Sequence, residues 1–173
     1  MFPNEDDIPA TLLYKDPIHN LAVLQLNNRP KVKHKQLTYS KNSYVLRSEN
    51  VYTIGYPWAN TMEDKHVLIK GSTSLSRKLD LIPITMPLNG VNSGGPLFNS
   101  NNELVGMVLF EKHAVDYYEL ERSKIYDYAI PVSTLIMVIK KLKLKKEPQN
   151  LKTSSKELFV ESRNKNVVLI EAY

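Results

Sequence analysis

The stretch Gly90-Val91-Asn92-Ser93-Gly94-Gly95-Pro96-Leu97-Phe98 decides how the rest of this chain is read. It sets one hydroxyl on a glycine-rich turn and follows it at once with an apolar strand. Glycines beside Ser93 allow strained dihedrals and let a ligand approach the backbone closely. Such a turn can aim backbone N–H groups at one point, which is what a developing oxyanion requires. A plain hairpin turn with a surface serine would look the same in isolation, so the flanking elements must decide.

With 173 residues, the chain is long enough for one domain with a proper core and marginal for two. Apolar residues make up 42% and charged residues 24%, ordinary for a soluble globular protein. No apolar run approaches the roughly 18 residues of a membrane span. The start, Met1-Phe2-Pro3-Asn4-Glu5-Asp6-Asp7, is acidic and does not read as a signal peptide. The absence of cysteine excludes disulfides and thiolate metal sites and favours an intracellular, reducing setting, without naming a compartment. The net charge of +5 rests mostly on lysines with no aromatic interleaving or reader motif, which argues against nucleic acid as a partner.

Ala10 to Tyr14 reads as a strand, residues 15–20 as a turn, and Leu21-Ala22-Val23-Leu24-Gln25-Leu26 as a second strand apolar enough to be mostly buried. Residues 27–50 are polar and lysine-rich, hence loop and edge structure. Val51 to Pro57 alternates like a strand and stops at Gly55 and Pro57. Further strands are expected over 66–75, 81–85, 103–109 and 125–131. From Ser133 the period changes: Leu135, Ile136, Val138, Ile139 and Leu142 fall at helical spacing behind Ser133 as N-cap, and lysines crowd the helix end. In the tail, Leu158-Phe159-Val160 and Val167-Val168-Leu169-Ile170 could pair as a hairpin, packing on the body or docking a partner.

The run Asn92-Ser93-Gly94-Gly95-Pro96-Leu97-Phe98 resembles the nucleophile loop of trypsin-like serine proteases, most closely the Deg/HtrA type. The Asp16-Pro17 turn leading into Leu21-Ala22-Val23-Leu24, the strand ending Gly55-Tyr56-Pro57, the strand with Gly71, the Val105-Gly106 return strand and Tyr128-Ala129-Ile130-Pro131 match that family in the same order, between residue 10 and about 143. The resemblance implies an all-β, trypsin-like double β-barrel with a C-terminal helix, the second barrel complete and the first partial. Residues 1–50 are expected to be a remnant of the first barrel with its connecting loop, 51–146 the second barrel with its closing helix, and 147–173 a linker and tail. The family's histidine lies on a strand upstream of the Asp-Pro segment, and no such strand precedes residue 10. A fragment and a degenerate copy both fit that expectation.

By resemblance, Ser93 holds the nucleophile position, and the N–H groups of Val91 and Ser93 would form the oxyanion hole. The family usually has glycine at Val91, where a β-branched residue resists unusual dihedrals. The triad acid position, directly before Leu21-Ala22, holds Asn20. An amide cannot stabilise an imidazolium electrostatically and can hold the wrong tautomer; in a trypsin-like enzyme that exchange costs about 10⁴ in rate. Asp16 reads as a turn-stabilising residue before Pro17. None of the four histidines, His19, His34, His66 and His113, lies in a segment like the family's base-bearing one.

Met86, Pro87, Leu88, Tyr126, Tyr128 and Ala129 map to the family's substrate pocket and would favour a small or medium apolar side chain. No residue spacing points to a metal or other cofactor. The expected function is a serine endopeptidase domain acting on peptide or unfolded protein, inactive or very weak as this chain. The alternative is a protease-fold module that binds peptides or proteins without chemistry. A protein partner could complete the first barrel.

Overall fold

The computed structural model describes residues 8–31, 37–41, 47–55, 67–74, 81–88, 90–109 and 127–143, without the side chain of Val91. Eight strands occur among them: β1 (Ala10–Asp16), β2 (Leu21–Leu26), β3 (Asn50–Gly55), β4 (Val67–Thr73), β5 (Ile82–Thr85), β6 (Pro96–Asn99), β7 (Leu104–Leu109) and β8 (Asp127–Pro131). A 3₁₀ turn covers Gly90–Asn92, and the helix α1 spans Val132–Lys141.

Strands β3 to β8 close into a barrel in the order β3-β4-β5-β8-β7-β6, every pair antiparallel. Closure comes from β3, which pairs with β4 along its length and with β6 through Val51↔Asn99, Tyr52↔Phe98 and Thr53↔Leu97. The pleat sends successive side chains to opposite faces, and here both faces are apolar. Val51, Ile84, Leu97, Val105, Val108 and Ala129 fill one cluster. On the other side of β3, Tyr52, Ile54 and Phe98 pack with Leu37, Leu68 and Leu104. The Tyr52 and Phe98 rings stack at 5.5 Å as a cross-strand pair.

The pair β1-β2 forms a separate two-stranded sheet. Leu21 docks it to the body in a cluster with Leu81, Leu109, Tyr128, Ile130 and Val138, which Tyr14, Val23, Leu135 and Leu142 extend. One closed barrel, two strands beside it and a helix after the last strand together make a trypsin-like, partial double-barrel fold. The linker contributes an edge: Tyr39 bridges Leu104 in parallel, with Ser40 N–H donating to Leu104 O and Leu104 N–H to Thr38 O.

Two expectations are corrected. β2 is not mostly buried: Leu21 is buried, Val23 and Leu24 are half-buried, and Ala22, Gln25 and Leu26 are exposed. Its body-facing side alone meets the barrel, so the apolar residues of the other side lack cover. The N-cap of α1 is Pro131 rather than Ser133, and no side chain caps it. β8 runs straight into the helix, and Pro131, at φ −62° and ψ 148°, serves as both last strand residue and first flanking residue. Ser133 then sits inside the first turn, exposed. The expected strand residues Tyr56, Pro57, His66, Leu75, Ile125 and Tyr126 lie outside the described residues, as do the tail strands.

Leu97 is fully buried in the barrel interior. Leu97→Ala should lower unfolding free energy by about 2–5 kcal/mol, the range for deleting a core leucine. Urea denaturation followed by circular dichroism measures it.

Candidate active site

The serine loop is pinned from behind by β7. Gly94 N–H donates to Val108 O and Val108 N–H donates to Gly95 O, both at 2.8 Å. Between these bonds Gly94 takes φ +86°, a conformation a side chain would strain. Gly95 is needed for closeness: a Cβ there would stand 3.0 Å from the Asn92 carbonyl and 3.1 Å from Thr53 Oγ1. That hydroxyl is itself buried, with no hydrogen-bond partner among the described residues.

Ahead of the glycines, the Gly90–Asn92 turn folds back, and Gly95 N–H donates to Asn92 O at 3.1 Å. Asn92 is buried under the loop, and Ser93 is half-buried above it. The Ser93 N–H donates to Gly90 O at 3.3 Å. An oxyanion hole needs that N–H directed at a substrate oxygen. In this structure the Gly90 carbonyl takes the donor instead. At 3.3 Å the bond is slightly longer than the usual range of about 2.7–3.2 Å, and even a typical bond of this kind is worth only about 0.5–1.5 kcal/mol net.

The β1-β2 turn carries the other polar residues. Asp16, buried at 6% relative exposure, accepts at Oδ1 from Ile18 N–H (3.0 Å) and His19 N–H (3.2 Å). Its other oxygen receives His19 Nδ1–H at 2.9 Å. That is the turn-stabilising role its place before Pro17 suggests. The His19 hydrogen bond holds the Asp16 carboxyl below its usual range, with the two backbone amides adding to the effect and partial burial opposing it. Because the carboxylate accepts, Nδ1 carries the proton, and Nε2 is the ring's remaining nitrogen. Asn20 follows in the left-handed region at φ +53°, which asparagine tolerates better than most residues.

This dyad sits on the helix side of the hairpin. Lys141 Nζ donates to the Tyr14 hydroxyl at 3.0 Å and lies 5.3 Å from the ring centre. The Tyr14 contact raises the Lys141 pKa, and the Asp16 charge adds to the rise. The Asp-Pro-x-His spacing carried the signal for the Asp16–His19 pair. Nothing in the sequence pointed to Lys141 meeting Tyr14.

Of the pocket residues, Met86 and Ala129 belong to the barrel cluster, and Leu88 packs on it. Tyr128, one residue along β8, points the opposite way into the cluster under the hairpin and helix, so it and Ala129 do not meet. Pro87 is exposed. Tyr126, His34, His66 and His113 lie outside the described residues. Among the described residues no group of three or more His, Asp or Glu could hold a metal ion.

A closed six-stranded barrel ending in a helix, with a glycine-flanked serine where one strand enters, is the architecture of a trypsin-like peptidase. The family model of the trypsin-like peptidase domain matches residues 1–107, and the chain belongs to that family. Among solved structures, Deg5 aligns at TM-score 0.57 and 19% identity, over 75% of this chain and 58% of its own. The serine endoprotease from Yersinia pestis aligns at 0.57 and 25% identity, over 77% and 43%. An inactive mutant of Rv3671c from M. tuberculosis aligns at 0.58 and 15% identity, over 80% and 66%. The chain therefore spans between 43% and 66% of the length of these structures. No curated protein matches the sequence.

A carboxyl held below its ordinary value of about 3.9 stabilises the fold above that pH and loses its contribution as pH falls through the depressed native value. Asp16→Asn should therefore melt at lower temperature than the parent at pH 7, and the gap should narrow as pH falls below the ordinary carboxylate value of about 3.9. Thermal melts across pH 2.5–7 follow both chains.

Proposed function

We propose that the chain is a Deg/HtrA-type serine endopeptidase domain with Ser93 in the nucleophile position, inactive or very weak on its own. The observation that carries this reading is the Ser93 N–H donated to Gly90 O, which removes a donor from the place where a tetrahedral intermediate needs it. Two further features support it. Asn20 stands at the family's acid position, and the described histidine, His19, is engaged with Asp16. The substrate class would be peptide or unfolded protein, with Met86, Leu88 and Ala129 lending the pocket wall an apolar character.

The second reading is a peptide- or protein-binding module on a protease fold, favoured by the asparagine at position 20. Both readings allow a partner that completes the first barrel, and only the first gives that partner a catalytic consequence.

Fluorophosphonate labelling tests the inactive reading, because the probe reports a serine activated by a base. The folded chain should label no more than Ser93→Ala. Clear labelling lost in Ser93→Ala would overturn the inactive reading and show that a base reaches Ser93.

A further inference from the structure

The exposed apolar side chains of the described residues are gathered in one place. Five large hydrophobic side chains are exposed among these residues, and four belong to the β1-β2 hairpin: Leu12 (55%), Leu13 (46%), Ile18 (75%) and Leu26 (37%). The fifth, Met137, lies on α1, whose end meets the hairpin through Lys141 and Tyr14. Ile18 stands at the turn tip, where its N–H donates to the Asp16 carboxylate at 3.0 Å. The tip therefore presents an aliphatic side chain from a fixed backbone. Along the strands, Leu21 and Val23 point to the body, so Ala22, Leu24 and Leu26 share the outward face with their partners Lys15, Leu12 and Ala10. A face of this kind is ordinarily polar where water is its neighbour.

Positive charge is gathered on the same two elements. The hairpin and the residues just after it expose Lys15, Arg29 and Lys31, and the end of α1 exposes Lys140, Lys141 and Lys143. Within residues 8–31 and 132–143 the one acid is Asp16, and it is buried and occupied by hydrogen bonds from Ile18 and His19. A surface that is both aliphatic and basic fits a neighbour that is both apolar and anionic. Protein interfaces enrich aromatic residues and arginine and deplete lysine. Here lysine supplies all but one of the six cations, and none of the exposed large hydrophobic residues is aromatic. At a bilayer, by contrast, aliphatic groups enter the headgroup–acyl boundary while lysines stay with the lipid phosphates.

We propose that the β1-β2 hairpin and the end of α1 form a peripheral docking surface for an anionic lipid bilayer. Ile18 and Leu12 enter the interface, and the lysines of both elements face the headgroups. This surface goes beyond the reading of Ser93 and does not rest on it. A second copy of the chain and an acidic protein are the competing occupants.

Co-sedimentation of the full chain with vesicles tests the proposal, one set of phosphatidylcholine alone and one of phosphatidylcholine mixed with phosphatidylglycerol. The acidic start, Glu5 to Asp7, is present in that chain and counts against binding. The anionic vesicles should be favoured by at least about tenfold, and binding should weaken as salt is raised. Lys15→Gln should lower the partition coefficient about fivefold, and Ile18→Ser should lower it at least about tenfold. Lys70→Gln, at an exposed position on β4, should leave it within about twofold. The two hairpin variants alter separate exposed side chains, so one poorly folding variant does not decide the result. Equal binding to both vesicles, or binding that neither hairpin variant weakens, overturns the proposal. So does a loss with Lys70→Gln as large as that with Lys15→Gln, which would mark undirected charge attraction. Absence of vesicle binding overturns it too: dimers in sedimentation velocity would then assign the face to a second copy, and retention on polyglutamate to an acidic protein.

Discussion

The barrel and the serine loop it carries depend on β3 pairing on both of its edges. Its bonds to β4 and β6 turn an open sheet into a barrel, and closure leaves no strand edge to solvent within that unit. The same closure fixes where β6 begins and therefore where the serine loop stands. Gly94 and Gly95 are then clamped by Val108 of β7, so the loop is held by the barrel wall as well as by its own turn bonds. Burial on both faces of β3 makes this strand intolerant of register slips, because a shift of one residue would exchange the Val51 and Tyr52 environments.

The hairpin has a different physical basis. It hangs on one apolar cluster centred on Leu21 and on a turn organised by the Asp16 carboxylate. Loss of the barrel would cost the molecule its core. Loss of the hairpin would cost it the Leu21 side of one cluster and the Lys141–Tyr14 contact, and leave the barrel core in place.

Much of this was legible in the sequence. Alternation and turn residues located the barrel strands to within a residue or two, because β3, β4, β5 and β7 carry β-branched and aromatic residues bounded by turns. The glycine-flanked serine identified the loop, since few other combinations supply both a positive φ and a close approach. What escaped the sequence has specific causes. Whether Ser93 N–H meets Gly90 or a ligand depends on how a short turn settles, and the same residues permit either. β2 looked buried because its residues are apolar on both faces, yet burial depends on what covers a face. The helix start was misplaced because Pro131 belongs to strand and helix at once, whereas serine is the commoner flanking residue. The Lys141–Tyr14 contact joins residues distant along the chain, and local pattern says nothing about such pairs.

The place of β8 in the barrel has a kinetic consequence. Among the described barrel strands it is the last in sequence but lies between β5 and β7 in space. During synthesis, the five earlier barrel strands can pair only into an open sheet until Asp127–Pro131 emerges. Over that interval β5 and β7 present unpaired edges rich in Ile, Leu and Val, the surfaces most exposed to wrong partners. The barrel is thus most vulnerable to aggregation just before β8 arrives, and the Ile82↔Ala129 and Val108↔Ala129 pairings end that window together.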